Sequence, residues 1–152
     1  MADSKRQQII TKIDARLKTI LTTGGYLTNA GSHVYPWLSR PVSPTNLLAL
    51  AYRDPQENNE AATSGSIGYH RHQLTIEIEI LVASGGTTMA VMRQVFADIE
   101  TAIGTDPKWS ALAENTLPGN NRMDIDQENK VVAGALITLT VVYLTKAWNP
   151  YS

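Results

Sequence analysis

Residues 69–83 constrain this chain more than any other stretch. Leu74, Ile76, Ile78, Ile80 and Val82 fall on one face at period two, while Arg71, Gln73, Thr75, Glu77 and Glu79 fall on the other. Such alternation makes a strand with one buried and one wet face. Residues 131–145 repeat it, with Val131, Ala133, Ala135, Ile137, Leu139, Val141 and Tyr143 alternating with Thr138 and Thr140. Each run has about fifteen residues, against about five or six for an ordinary strand. At roughly 3.3 Å per residue such a strand reaches about 50 Å. A compact chain of this length has a radius of gyration of only about 15 Å. Each strand must therefore bend, bulge or project, and a projecting strand exposes backbone edges that need cover. The expectation is that sister copies supply it.

The rest of the chain fills in an α+β domain. Ser4 to Gln7 has capping-box spacing. Ile9, Ile10, Ile13, Leu17, Ile20 and Leu21 then recur at helical spacing up to Gly24 and Gly25. A short strand over 32–39, interrupted by Pro36, and a second over 46–53 come next. Residues 54–68 form the most polar stretch and read as a long loop, either a hairpin tip or a segment that orders against a neighbouring subunit. After the long strand, Thr87 or Thr88 caps a second helix whose stripe is Val91, Met92, Val95, Phe96, Ile99 and Ile103. Pro107 predicts a short helical turn over 106–113. Residues 122–127 alternate and form a hairpin with the last strand, in which Gly134 marks a bulge or bend. The predicted order is α-β-β-β-α-β-β: a mainly antiparallel sheet with two long strands and both helices on one face, in one domain over 1–152. The tail 147–152 carries Trp148 and Tyr151 and is available to a partner.

Composition narrows the function. The chain has no cysteine, which removes disulfides and thiolate metal sites. Thirteen basic against fourteen acidic residues give a net charge of −1, unsuited to broad nucleic-acid binding. No run is apolar enough for a membrane span and no secretory leader is evident, so a cytosol, or a particle assembled there, is the expected location.

Catalytic constellations are weak. His70 and His72 share a strand face and could bind one metal ion, but a third ligand is not obvious nearby, and an interfacial or structural pair is the better reading. Glu77 and Glu79 stand on the wet face, as do Asp124 and Asp126 on their hairpin, where carboxylates are simply solvated. The Gly-Gly segments lack the lysine of a phosphate loop, and no G-x-S-x-G elbow occurs. No catalytic residue, metal or cofactor is expected. The alternative from another class is a small metal-dependent enzyme using His70, His72 and Glu79.

Taken together, Tyr26–Gly31, His33–Trp37, His70–Leu74 running into Glu77–Ile80, Ile103–Trp109, Ala133–Ala135 and Thr138–Tyr143 resemble the tail terminator, or tail-completion, proteins of long-tailed bacteriophages. The similarity covers about residues 6–148. It implies a structural virion protein: a hexameric ring on the head-proximal end of the tail tube, which stops tube growth, receives a head-completion or neck protein and lets DNA pass through its lumen. A neck connector or tail-tube subunit is the near alternative. On this resemblance the subunit-interface or lumen residues are Arg53, Asp54, Glu57, Glu60, His70, His72, Asp124, Asp126, Glu128 and Trp148. The acids among them would make a bore that repels phosphates. A head-to-tail ring further requires two different, complementary surfaces on each subunit.

Overall fold

The computed structural model describes residues 2–38, 42–61, 68–83, 87–125 and 132–152. Its elements are α1 (Lys5–Lys18), β1 (Val34–Pro36), β2 (Ala49–Ala61), β3 (Tyr69–Ala83), α2 (Thr88–Gly104), β4 (Asn115–Ile125) and β5 (Val132–Lys146), with three short 3-10 turns before β2. The strands form one sheet in the order β1-β2-β3-β5-β4. Every pairing is antiparallel except that of β1 with β2.

The alternation read in residues 69–83 builds the core. Leu74, Ile76, Ile78 and Ile80 are buried and stand opposite Val141, Leu139, Ile137 and Ala135 of β5. Ile9, Ile13 and Leu17 of α1 and Met92, Val95 and Ile99 of α2 pack into the same cluster, so both helices cover one face of the sheet. Thr75, Glu77, Glu79, Thr138 and Thr140 occupy the other face and are only half-buried. Ser4 caps α1 by accepting from the Gln7 amide at 3.2 Å, whereas the Gln7 side chain turns forward to Thr11, so only half of the capping box forms. The helix ends at Lys18, six residues short of Gly24. Ile20 is nonetheless buried, because the chain folds back against Gly31. A Cβ on Gly31 would lie 2.5 Å from the Leu17 carbonyl, so only glycine permits this approach.

Four expectations need correction. First, β3 and β5 pair with each other in unbroken register over fifteen residues, from Tyr69 with Lys146 to Ala83 with Val132. They lie inside the sheet, with β2 and β4 on their outer flanks, so the chain itself shelters them over most of their length. Second, residues 54–61 belong to β2 rather than to a loop, and 62–67 lie outside the described residues. Third, the bulges fall between Arg53 and Gln56 and between Pro118 and Asn121, while Gly134 pairs in register on both sides. Pro55 and Pro118 sit at these irregularities in strands with a free edge, where a missing amide costs least. Fourth, residues 106–113 form no helix: the Trp109 amide closes a turn on the Asp106 carbonyl at 3.3 Å, and the chain then turns left-handed. Trp109, Ser110 and Ala111 take φ of 54, 59 and 65°, and the Asp106 carboxylate accepts from the Ser110 amide at 2.6 Å and the Lys108 amide at 3.1 Å. Burial of Trp109, whose indole N–H donates to Thr116 at 2.8 Å and whose ring lies under Arg16 at 5.0 Å, offsets that left-handed backbone.

Candidate functional site

The face that carries the core continues past Leu74 and changes character. The next residues of β3 on that face are His72 and His70. Tyr143 and Thr145 stand opposite them on β5, and Asn59 and Ala61 on β2, with Glu57 beside Leu74. The parity that gathers isoleucines in the middle of the sheet thus gathers polar side chains at its end. The first turn of α1 lies over this end. Lys5 Nζ donates to the Leu144 carbonyl at 2.7 Å, and the Lys5 amide donates to the Pro150 carbonyl of the tail at 2.8 Å.

Arg6 is the hub. Its Nε donates to Asp54 Oδ2 at 2.9 Å, Nη1 to Glu57 Oε2 at 2.8 Å and Nη2 to the Asp54 carbonyl at 2.9 Å. Asp54 also accepts from the Trp37 indole at 2.9 Å. The Tyr143 hydroxyl donates to Glu57 Oε1 at 2.5 Å, and His72 Nδ1 lies 3.0 Å from the same oxygen and 2.6 Å from Asn59 Oδ1. His72 Nε2 is 2.8 Å from Thr145 Oγ1, and its ring stacks on Tyr143 at 4.5 Å. Both neighbours of Nδ1 are acceptors, so the fitting tautomer carries its proton there and accepts from Thr145 at Nε2.

The electrostatics follow from this burial. Loss of water pushes the His72 pKa down; Glu57 opposes the shift, while His70 and Lys5 reinforce it, and the net direction is downward. Burial first, then the bond to Glu57, holds the Tyr143 hydroxyl protonated well above its ordinary range. Tyr52 is raised likewise by burial and by its bond to Asp14 at 2.9 Å. Burial pulls Arg6 down, but its bond to Asp54 and the charges of Asp54 and Glu57 outweigh that and leave it raised. The arrangement therefore joins α1, three strands and the tail through committed partners.

Beside the cluster a groove of about 530 Å³ runs between His70, His72, Thr145, Glu60 and Trp148. The Trp148 ring meets His70 edge-on at 4.8 Å. His70 and His72 are 6.3 Å apart, but Glu79 points to the opposite face of β3, so these three cannot share an ion. Among the described residues no group of three or more histidines, aspartates or glutamates could hold a metal ion.

The sequence-predicted residues divide accordingly. Asp54, Glu57 and His72 meet in the cluster, and His70 and Trp148 flank it. Arg53 instead pairs across strands with Glu77 on the wet face at 2.5 Å, and Glu60 is exposed 3.6 Å from Arg71. Asp124 stands in β4 in register with Gly134, whereas Asp126 and Glu128 lie outside the described residues. Arg6, Tyr143 and Thr145 were missed. The parity of β5 could have revealed the last two, since Tyr143 and Thr145 continue the row of Val141. Arg6 left no signal, because its partners lie 48 and 51 residues away in sequence.

No family model matches this chain, and no curated protein does. Among solved structures it is similar to a chain in the virion of a native gene transfer agent (GTA) particle, at 14% identity over 92% of each chain with a TM-score of 0.39. A likeness that slight carries no conclusion about fold or function.

Proposed function

We propose that this chain is a structural subunit of a phage-like virion: a tail terminator that closes head to tail into a ring on the head-proximal end of a tail tube. The observation that carries the reading is the sheet's pair of open, unlike edges. On one side β1 covers Leu50 to Tyr52 of β2, and among the described residues no outer strand pairs with the polar run from Arg53 to Ala61. On the other side β4 ends the sheet, broken by the bulge at Pro118. A closed ring of identical copies needs two different surfaces per subunit, and these two edges meet that need. Proline and a bulge on each edge also discourage indiscriminate strand addition. Shelter for the long strands is not part of the argument, since the chain supplies it.

In such a ring Asp124 is the lumen acid among the described residues, and Glu60 drops out because Arg71 lies 3.6 Å from it within the subunit. Asp54 and Glu57 drop out, because Arg6 offsets their charge within the subunit. The partners are a tail-tube protein on one side and a head-completion protein on the other, with DNA passing through without sequence-specific contacts. The test is the mass of the purified protein alone and mixed with tail tubes, with images of the labelled protein on the tubes. Label at one tube end in ring-sized copies is expected. Label along the whole tube would make it a tube subunit, and no binding would end the virion reading.

A further inference from the structure

Backbone bonds fix which way each edge strand aims. The Leu50 amide donates to the His33 carbonyl at 2.8 Å, and the Tyr52 carbonyl accepts from the Trp37 amide at 2.9 Å, so both residues face away from β3. Bonding directions alternate along a strand. In β3 the row Glu79, Glu77, Thr75, Gln73 and Arg71 therefore bonds to β2, and past the bulge its partners are Gln56, Asn58 and Glu60. Glu57, Asn59 and Ala61 are left aiming their amides and carbonyls outward. On the opposite side the Glu114 amide donates to the Val142 carbonyl at 2.7 Å, so Val142 and, by the same alternation, Leu136 and Gly134 face β4. Their partners Arg122 and Asp124 bond inward, and Asn121 and Met123 aim outward. No backbone bond between described residues reaches either outward row.

The two rows match. Glu57 and Asn59 stand beside Leu74 and His72, and Asn121 and Met123 beside Ile137 and Ala135, so both rows belong to the helix-covered face. β2 and β4 also run antiparallel to each other, because three antiparallel pairings separate them. Copies set side by side in one sense thus bring β4 against the next β2 in the antiparallel sense, with every helix on one face. An odd number of long strands would fail both conditions. Of β4, the second half is fitted to pair. In the first half Pro118 has no amide, and the Thr116 amide is already taken by the Asn115 side chain at 2.9 Å.

We propose that residues 121–125 of β4 in one copy add, antiparallel, to residues 57–61 of β2 in the next, with Met123 opposite Glu57 and Asn121 opposite Asn59. The contact rests on the ring assembly proposed above and goes beyond it by assigning the bonds across the seam. Glu57 lies level with Val141 of β5 and Met123 with Ala135, so each copy steps six residues along the strands. That is about 20 Å at roughly 3.3 Å per residue, against about 19 Å across four strands. The strands then lean about 45° from the ring axis, at the upper end of the roughly 35–45° of closed barrels. β4 ends at Ile125, short of the stretch that β1 covers. On the other face Arg122 stands diagonal to Glu60 of the next copy, which sets opposite charges within reach across the seam.

The chain has no cysteine, so a double variant, Asn59→Cys with Asn121→Cys, reads the seam directly. Bonded antiparallel pairs hold their Cα atoms about 5.5 Å apart, within disulfide reach. Mild oxidation of the assembled protein, alone or on tail tubes, should give a ladder of linked copies on a non-reducing gel. Either single variant should give no linked species. Asn121→Pro removes an outward amide and no inward one, so association measured by sedimentation should weaken about tenfold. Its melting midpoint should stay within about 4 °C of the parent. Should that variant unfold, the ladder decides. If the parent forms rings and the double variant gives no ladder, the seam is wrong and the ring reading survives. A linked pair from either single variant would mean that like edges meet, and would overturn the head-to-tail ring as well. If the parent never associates, alone or on tubes, both fall.

Discussion

Replacing Arg6 with alanine removes the side chain that ties the start of α1 to the acids at the far end of the sheet. Three charge-assisted bonds disappear, at 2.9, 2.8 and 2.9 Å. A hydrogen bond to a charged group contributes about 1.5–3 kcal/mol when well buried. The Arg6 side chain is 38% exposed, so water replaces part of what is lost, and about 1 kcal/mol per bond is the fair figure. The sum is about 3 kcal/mol, or a fall of roughly 6–12 °C in melting midpoint for a chain of this size. Glu57, with a side chain only 11% exposed, keeps Tyr143 and His72 as donors, which prevents a larger loss. Its charge would then face His72 without Arg6 beside it, so the His72 pKa should climb from its lowered position. Arg6→Lys keeps the charge but not the planar fork, and should fall between the two. Thermal unfolding with a histidine titration by NMR reads both effects. An Arg6→Ala protein that melts within about 2 °C of the parent and leaves His72 unmoved would refute the fastening argument.

Three further outcomes follow from the same geometry. Because the folded state lowers His72, the unfolded chain binds its proton first, so stability should drop as pH falls below about 6.5 toward the lowered value; denaturation midpoints between pH 7.5 and 5 check this, and His72→Gln should flatten the slope. Tyr52 and Tyr143 hold their protons when folded, so stability should fall as pH rises past about 10. A phenolate absorbance titration should find two of the six tyrosines ionising late. Asp98 is 3% exposed and accepts from the Leu27 and Thr28 amides and the Thr28 hydroxyl at 2.9, 2.8 and 2.6 Å, so Asp98→Asn turns an amide donor toward donors and should cost about 3 kcal/mol in chemical unfolding.

Prolines and glycines were the least transparent signals. Pro55 read as the end of a strand and the opening of a loop, yet β2 runs through it, because its outer side has no neighbour demanding an amide. Pro118 and Gly119 concealed the first half of β4 in the same way. Gly134 suggested a bulge and produced none, since both of its neighbours keep their register. The run after Asp106 looked helical from Pro107 alone; burial of Trp109 overrode that local preference. Of the candidate site, His70, His72, Asp54, Glu57 and Trp148 could be named in advance, but not their arrangement.

Periodicity alone determined the two long strands, the apolar stripes of both helices, their common face and the order of elements. Those follow from which side chains avoid water, a property each residue carries with its neighbours along the chain. Which strands lie inside the sheet was settled only in three dimensions, as was the capture of two carboxylates by Arg6 and the choice of edges left open. Strand order and ion pairing depend on contacts between residues tens of positions apart, and no local pattern encodes those partners.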